Sequence, residues 1–337
     1  MGLSFGAVFG TTGGVVSTPF PDKPRIAIIG AGALGCYYGA RLVKAGEDVH
    51  FLVRSNRAAL MAQGLKVKTP TERISARKIQ VYGSANEIGP CDLVIIATKA
   101  TANEALKSIL PPLLKPDTAV LTLQNGLGVE EPIADIVGPG RVVGAICYIG
   151  CMRTAPGVVS CSFPGLMTIG KFGKPAGERT QAVAALLRRA GVKCNAQDNL
   201  EAQRWHKLVW NVPFNGLAIV AGGITTDVLI ADEGLKLLAR RLMEEIVEAA
   251  AKFGHEISRS FVDLQFERTA MMGAYRPSSL IDFEEGRDVE LEEIWGEPVR
   301  RAKSVGAAVP RMEMLYWLIK QRLAARNAAL KAKARKR

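Results

Sequence analysis

With 337 residues, 48% of them hydrophobic and 23% charged, the chain is long for one core and has the composition of a packed, water-soluble protein of two domains. No apolar run approaches the roughly 18 residues that a bilayer-spanning helix needs, which excludes a transmembrane protein. The formal charge of +12 does not make nucleic acid an expected partner, because the stretch 320–337 alone carries eight basic residues and no acid. Such a run reads as a solvated helix end or frayed terminus, with residues 327–337 as a basic tail.

Residues 1–24 are rich in Gly, Thr and Pro, with no cation before Lys23. A secretory signal needs a basic start and a longer apolar core, and myristoylation needs Ser or Thr where Gly6 stands, so a flexible leader is expected. RIAIIG is a β-branched run ending in Gly, the stretch to Ala45 reads as a helix closed by Gly46, and DVHFLVR reads as a second strand. A β-α-β unit of that length binds a mononucleotide half and feeds a parallel sheet. Further strands are expected at CDLVIIATK, TAVLTLQNG and RVVGAICYIG, with a helix over 103–110 between the first two. Residues 157–171 read as short strands with turns, and 180–190 as a helix. From about residue 199 helical periodicity takes over, at 203–220, 233–253, 257–272, 286–306 and 311–325. The expected architecture is an α/β Rossmann domain over 25–198 followed by an all-α domain over 199–326. The apolar helices of the second domain suit a homodimer and a domain core alike.

The six cysteines (Cys36, Cys91, Cys147, Cys151, Cys161, Cys194) and three histidines (His50, His206, His255) show no metal-ligand spacing. Neither a zinc site nor a disulfide framework is expected, and buried thiols in a reducing cytoplasm suit the pattern.

The turn G-A-G-A-L-G (Gly30, Ala31, Gly32, Ala33, Leu34, Gly35) lies between a buried strand and a helix. Gly30 permits the tight turn, Gly32 lets backbone approach a pyrophosphate, and Gly35 lets the helix pack on the strand. Unpaired N–H groups and a partial positive charge at the helix N-terminus then face the phosphates of a dinucleotide. The acid that would hold a ribose diol at the end of the second strand is absent; Arg54 stands there, with Arg57 close behind. A guanidinium suits a 2′-phosphate, which favours NADPH; a solvated surface arginine is the other reading of Arg54.

Five segments in order, IAIIGAGALGCYYGARL, ATKA with Lys99, LQNGLG with Asn125, HKLVWNVPFN, and PSSLIDFEEGRDVELEEIWG, resemble the ketopantoate reductase (2-dehydropantoate 2-reductase) family. The resemblance implies a Rossmann domain and a helical domain like the C-terminal part of 6-phosphogluconate dehydrogenase, with the active site between them. It implies that Lys207, the lysine of the family's K-x-x-x-N-x-x-x-N pattern, protonates the keto oxygen, with Asn211 and Asn215 as substrate-binding partners. It further places the family's glutamate on Glu290, a substrate-contacting serine on Ser279, and the residues beside the nicotinamide on Lys99 and Asn125. Three positions depart from the family pattern: Leu280 ends the S-S-M run, Val289 precedes the glutamate, and Thr225 stands where an asparagine is expected. A related 2-oxoacid is therefore a candidate substrate beside ketopantoate.

The same residues have a physical logic of their own. Lys207, Asn211 and Asn215 are spaced i, i+4, i+8 and share a helical stripe. Hydride addition to a ketone leaves negative charge on oxygen, and a cation beside that atom stabilises the transition state more than the ground state. A carboxylate such as Glu290 would favour the charged lysine, whereas a lysine or an acid-rich run on a helix is ordinarily a solvated face. Pro213, between the two asparagines, predicts a kink or break. The alternatives are a 3-hydroxyacid or opine-type dehydrogenase of the same plan, and a non-catalytic NADPH-binding sensor.

Overall fold

The computed structural model describes residues 20–335. Most of the segment expected as a leader lies outside the described residues, but its end does not behave as one: Phe20 packs into the core of the sheet. The strands are β1 (Arg25–Ile29), β2 (Asp48–Leu52), β3 (Leu65–Lys68), β4 (Arg73–Ala76), β5 (Gln80–Tyr82), β6 (Cys91–Ile96), β7 (Leu114–Thr122), β8 (Val142–Ala155), β9 (Val158–Lys171) and β10 (Cys194–Gln197). Between them run α1 (Ala33–Lys44), α2 (Arg57–Gln63), α3 (Ala85–Ile88), α4 (Asn103–Ile109), α5 (Glu131–Val137) and α6 (Glu178–Arg189). The strands form one mixed sheet in which the order β5-β2-β1-β6-β7-β8 is parallel throughout. That is the doubly wound Rossmann order, and β1 and β6 flank its switch point, where ligands of such sheets bind.

Both faces of the sheet are covered, and the period of two along each strand shows it. Ile26 and Ile28 of β1, with Leu93 and Ile95 of β6, join the core formed with Tyr37, Tyr38 and Leu42 of α1. Ala27 and Ile29, with Val94 and Ile96, join a second core under Leu106 of α4 and Ile133 of α5. Strands buried on both faces read as continuous apolar runs, which is why these five-to-six-residue segments stand out in the sequence. Residues 157–171 do not form short strands: β9 is one long strand antiparallel to β8, in register from Val143↔Lys171 to Ala155↔Val158 with local shifts.

The helical half contains α7 (Leu200–Val220), α8 (Thr226–Ala231), α9 (Glu233–Lys252), α10 (Arg259–Ala270), α11 (Ser278–Glu284), α12 (Glu297–Ser304) and α13 (Pro310–Arg335). No strand follows β10 among the described residues. Helix α7 is apolar on most sides, with Val209, Val212, Phe214 and Ile219 all buried, so it sits inside the bundle. Two helical expectations are corrected. Of the kink or break expected at Pro213, the break is absent: α7 runs unbroken through it, the surrounding packing outweighing one lost backbone bond. The expected helix over 286–306 is not continuous: residues 286–290 precede a π-helical turn, Glu292–Gly296, which leads into α12. The stretch read as a basic tail continues α13 as far as Arg335, its Ala and Lys residues being good helix formers.

A buried ion pair ties the two halves. Arg204 of α7 and Glu130, just before α5, are each 4% exposed and paired, with Arg204 Nε 2.8 Å from Glu130 Oε1. The same guanidinium donates to the carbonyls of Gln124 and Gly126, both at 3.1 Å. Breaking a buried pair from one side strands a charge and costs about 3–5 kcal/mol, whereas replacing both partners by apolar residues is often close to neutral. Arg204→Met is therefore expected to lower the denaturant midpoint strongly, and Arg204→Met combined with Glu130→Leu to restore most of it. A double variant as unstable as the single one would show that the loss comes from some other contact of Arg204.

Candidate active site

The glycine turn has the shape that the sequence pattern requires. Gly30 has φ +97°, a left-handed value, and a Cβ there would lie 2.9 Å from Thr98 Cγ2. A Cβ on Gly35 would come within 2.0 Å of the Gly30 carbonyl oxygen, so only glycine lets α1 start this close to β1. At Gly32 the nearest atom to such a Cβ is 4.0 Å away, leaving the approach open. Helix α1 begins with no acid in its first turn and no side-chain cap on its N–H groups. An open approach, free helix-end donors and absent negative charge fit a pyrophosphate at this turn. Arg54, two residues beyond β2, is exposed and has no ion-pair partner among the described residues, whereas Arg57 pairs with Glu87 at 3.5 Å.

Lys207 crosses from α7 to the sheet. Its Nζ donates to Asn125 Oδ1 at 2.9 Å and to the Cys147 carbonyl at 2.7 Å, and it lies 5.6 Å from the centre of the Tyr148 ring. Asn125 follows β7 in a loop held by Arg204, and Cys147 is on β8, so both acceptors belong to the Rossmann half. An ammonium has three N–H donors; these two contacts leave one for a further acceptor. Asn125, Arg204, Lys207 and Asn211 line one small pocket. Burial pulls the Lys207 ammonium down to about 8; the neighbouring Arg204 charge adds to this, while Glu290 opposes it.

Glu290 is 9% exposed. Burial raises its carboxyl to about 7, despite the opposing charge of Lys99 and a hydrogen bond from the Ala100 backbone. Lys99 itself, placed just after β6, forms an ion pair with Asp282 of α11 at 2.5 Å and donates to the Asp288 carbonyl. The loop after β7 is pressed onto the π-helical turn: Leu127 N–H donates to the Glu293 carbonyl at 2.8 Å, and a Cβ on Gly126 would lie 2.3 Å from that oxygen. Lys99, Asn125, Lys207 and Glu290 thus come from both halves and lie where α7 and the π-helical turn face the loops after β6 and β7.

Asn215 and Ser279 are brought together, but in a buried bond to each other. Asn215 is 1% and Ser279 2% exposed. The Ser279 backbone N–H donates to Asn215 Oδ1 at 2.9 Å, and Asn215 Nδ2 donates to the Asn211 carbonyl at 3.0 Å. These bonds fasten α11 onto α7. Thr225 spends its hydroxyl on Asp227 at the start of α8, and Leu280 is wholly buried in the helical core. Arg204, Glu130 and Tyr148 escape a reading of the sequence. Arg204 leaves one trace, its place three residues before Lys207 on the same helical face; Tyr148 leaves none.

The model of the ketopantoate reductase PanE/ApbA family matches residues 26–174, and the model of that family's C-terminal part matches residues 199–323. A 2-dehydropantoate 2-reductase of Nostoc sp. is 36% identical over 304 residues, which are 89% of this chain and 95% of the relative. The crystal structure of a 2-dehydropantoate 2-reductase from Geobacter metallireducens is 40% identical, with a TM-score of 0.85 over 88% of this chain and 99% of that one. A D-mandelate dehydrogenase solved with NADH and anilino(oxo)acetate is 24% identical and shares the fold, with a TM-score of 0.80 over 90% of this chain and 99% of that one. With matched segments that span both the sheet and the helical half, the chain belongs to the ketopantoate reductase family of oxidoreductases.

Proposed function

We propose that this chain reduces the keto group of a 2-oxoacid with NADPH, ketopantoate to pantoate being the first candidate, and that Lys207 is the general acid. The observation that carries the reading is the seat of Lys207: a helix-borne ammonium held by Asn125 and the Cys147 carbonyl beside the carboxyl ends of the strands. Residues 25–198 hold the cofactor in this reading, and 199–326 bring the proton donor. A dinucleotide whose pyrophosphate is held at the glycine turn would supply the hydride from its reduced nicotinamide.

Lys207 directs its remaining N–H toward the substrate oxygen, where charge develops as the carbonyl is reduced. After giving up that proton, the neutral amine keeps two N–H donors, so the bonds to Asn125 and Cys147 persist and hold its lone pair in place for reprotonation. Glu290 stabilises the ammonium against the pull of burial. Asn211 and Asn125 supply amide groups to the bound acid, and Asn215 and Ser279 hold the α7 and α11 frame on which Lys207 and Glu290 depend. Arg54 meets the 2′-phosphate that distinguishes NADPH from NADH.

Lys207→Ala should lower kcat by about 100- to 10,000-fold, the usual share of a general acid, with NADPH binding retained in a fluorescence titration. Full activity in this variant would remove Lys207 from the mechanism. The pH dependence follows from the signs: Glu290 ionises near 7 and Lys207 loses its proton near 8, so kcat/KM for reduction should rise through the first value and fall beyond the second. Glu290→Gln should erase the acid limb; a limb that stays where it was would assign it to another group. Arg54→Ala should weaken NADPH about tenfold or more and leave NADH unaffected, in keeping with one charge-assisted phosphate contact. A panel of ketopantoate, 2-oxoisovalerate and 3-oxoacids, followed by NADPH oxidation, ranks the substrates, and turnover of 3-oxoacids alone would overturn the 2-oxoacid reading.

A further inference from the structure

The β8–β9 hairpin carries an arginine to the glycine turn. Its strands pair along most of their length, with Arg153 opposite Val159. The hairpin end is seated on β3: Lys66 N–H donates to the Gly157 carbonyl at 2.8 Å, and a Cβ on Gly157 would lie 2.4 Å from the Gly64 carbonyl oxygen. From this fixed position Arg153 Nη1 donates to the Ala31 carbonyl at 3.3 Å, inside the Gly30–Gly35 turn. Arg153 is exposed, and no carboxylate pairs with it among the described residues. Some other arginines beside this sheet are paired, Arg41 with Glu72 and Arg25 with Asp48.

We propose that Arg153 is a further cofactor-binding residue, one that reaches the pyrophosphate from the β8–β9 hairpin; this rests on the reading of the glycine turn as a dinucleotide site. A guanidinium has five N–H donors in a planar fork. Its bond to Ala31 orients the fork and leaves other donors for phosphate oxygens, which suit bidentate contact. The turn itself offers backbone N–H groups and a partial charge, and Arg153 adds a full charge to the same anion. Because the pyrophosphate is common to NADH and NADPH, Arg153 contributes to both, whereas Arg54 serves only the 2′-phosphate.

The test is a fluorescence titration of the full chain and its Arg153→Gln variant with NADPH, NADH and ADP-ribose. Arg153→Gln should weaken all three by a similar factor of about tenfold or more, as expected for loss of a hydrogen bond to a charged group, and Arg153→Lys should keep part of the affinity. The side chain is exposed, so the thermal midpoint of the ligand-free protein should not move. Unchanged affinities in Arg153→Gln would overturn the proposal, and so would a loss confined to NADPH, which would assign Arg153 to the 2′-phosphate. A wild-type chain that binds none of the three ligands would instead overturn the dinucleotide reading itself, and this proposal with it.

Discussion

Lys207 carries a positive charge in a place from which much of the water has gone, and the arrangement around it answers that cost. Desolvation disfavours the ammonium, and Arg204, three residues earlier on α7, disfavours it further. Two carbonyl acceptors from the sheet half and the negative charge of Glu290 act in the other direction. The balance leaves a group that can lose its proton near neutral pH, the property that the proposed role as proton donor needs. An unburied lysine would keep its proton too firmly, and one buried without these partners would not hold it.

That balance depends on the two halves of the chain keeping their relative position. Arg204 reaches across to Glu130 and to the carbonyls on either side of Asn125, so the guanidinium that depresses Lys207 also orients one of its acceptors. The π-helical turn packs against Gly126, and its Glu293 carbonyl accepts the Leu127 N–H. Arg301 of α12 adds a contact with Glu131 of α5 and one with Glu201 of α7 at 3.2 Å. Much of the polar bonding at this junction therefore serves to position groups rather than to touch a ligand.

The departures from the family pattern fall into the same frame. Leu280 fills the helical core and Thr225 donates its hydroxyl to the Asp227 carboxylate at the start of a short helix, so each has a structural use on its own side of the bundle. Asn215, which the family resemblance marks as a substrate partner, bonds to Ser279 and Asn211. Helical spacing places residues on one stripe, but it cannot tell which part of the stripe faces the sheet and which faces a neighbouring helix.

What the sequence determined alone is local and periodic. The run of β-branched residues before Gly30, the glycine spacing and the helix that follows specify a strand, a tight turn and a helix packed close on the strand, because sterics at three positions permit little else. The switch from strand to helix patterning near residue 199 follows in the same way from the two periods. Tertiary structure alone decided the rest: the single long β9, the unbroken α7 through Pro213, the π-helical turn, and the meeting of Arg204 with Glu130 and of Arg153 with Ala31. Each of these depends on packing or pairing with residues elsewhere in the chain, through energies that no short window of sequence contains.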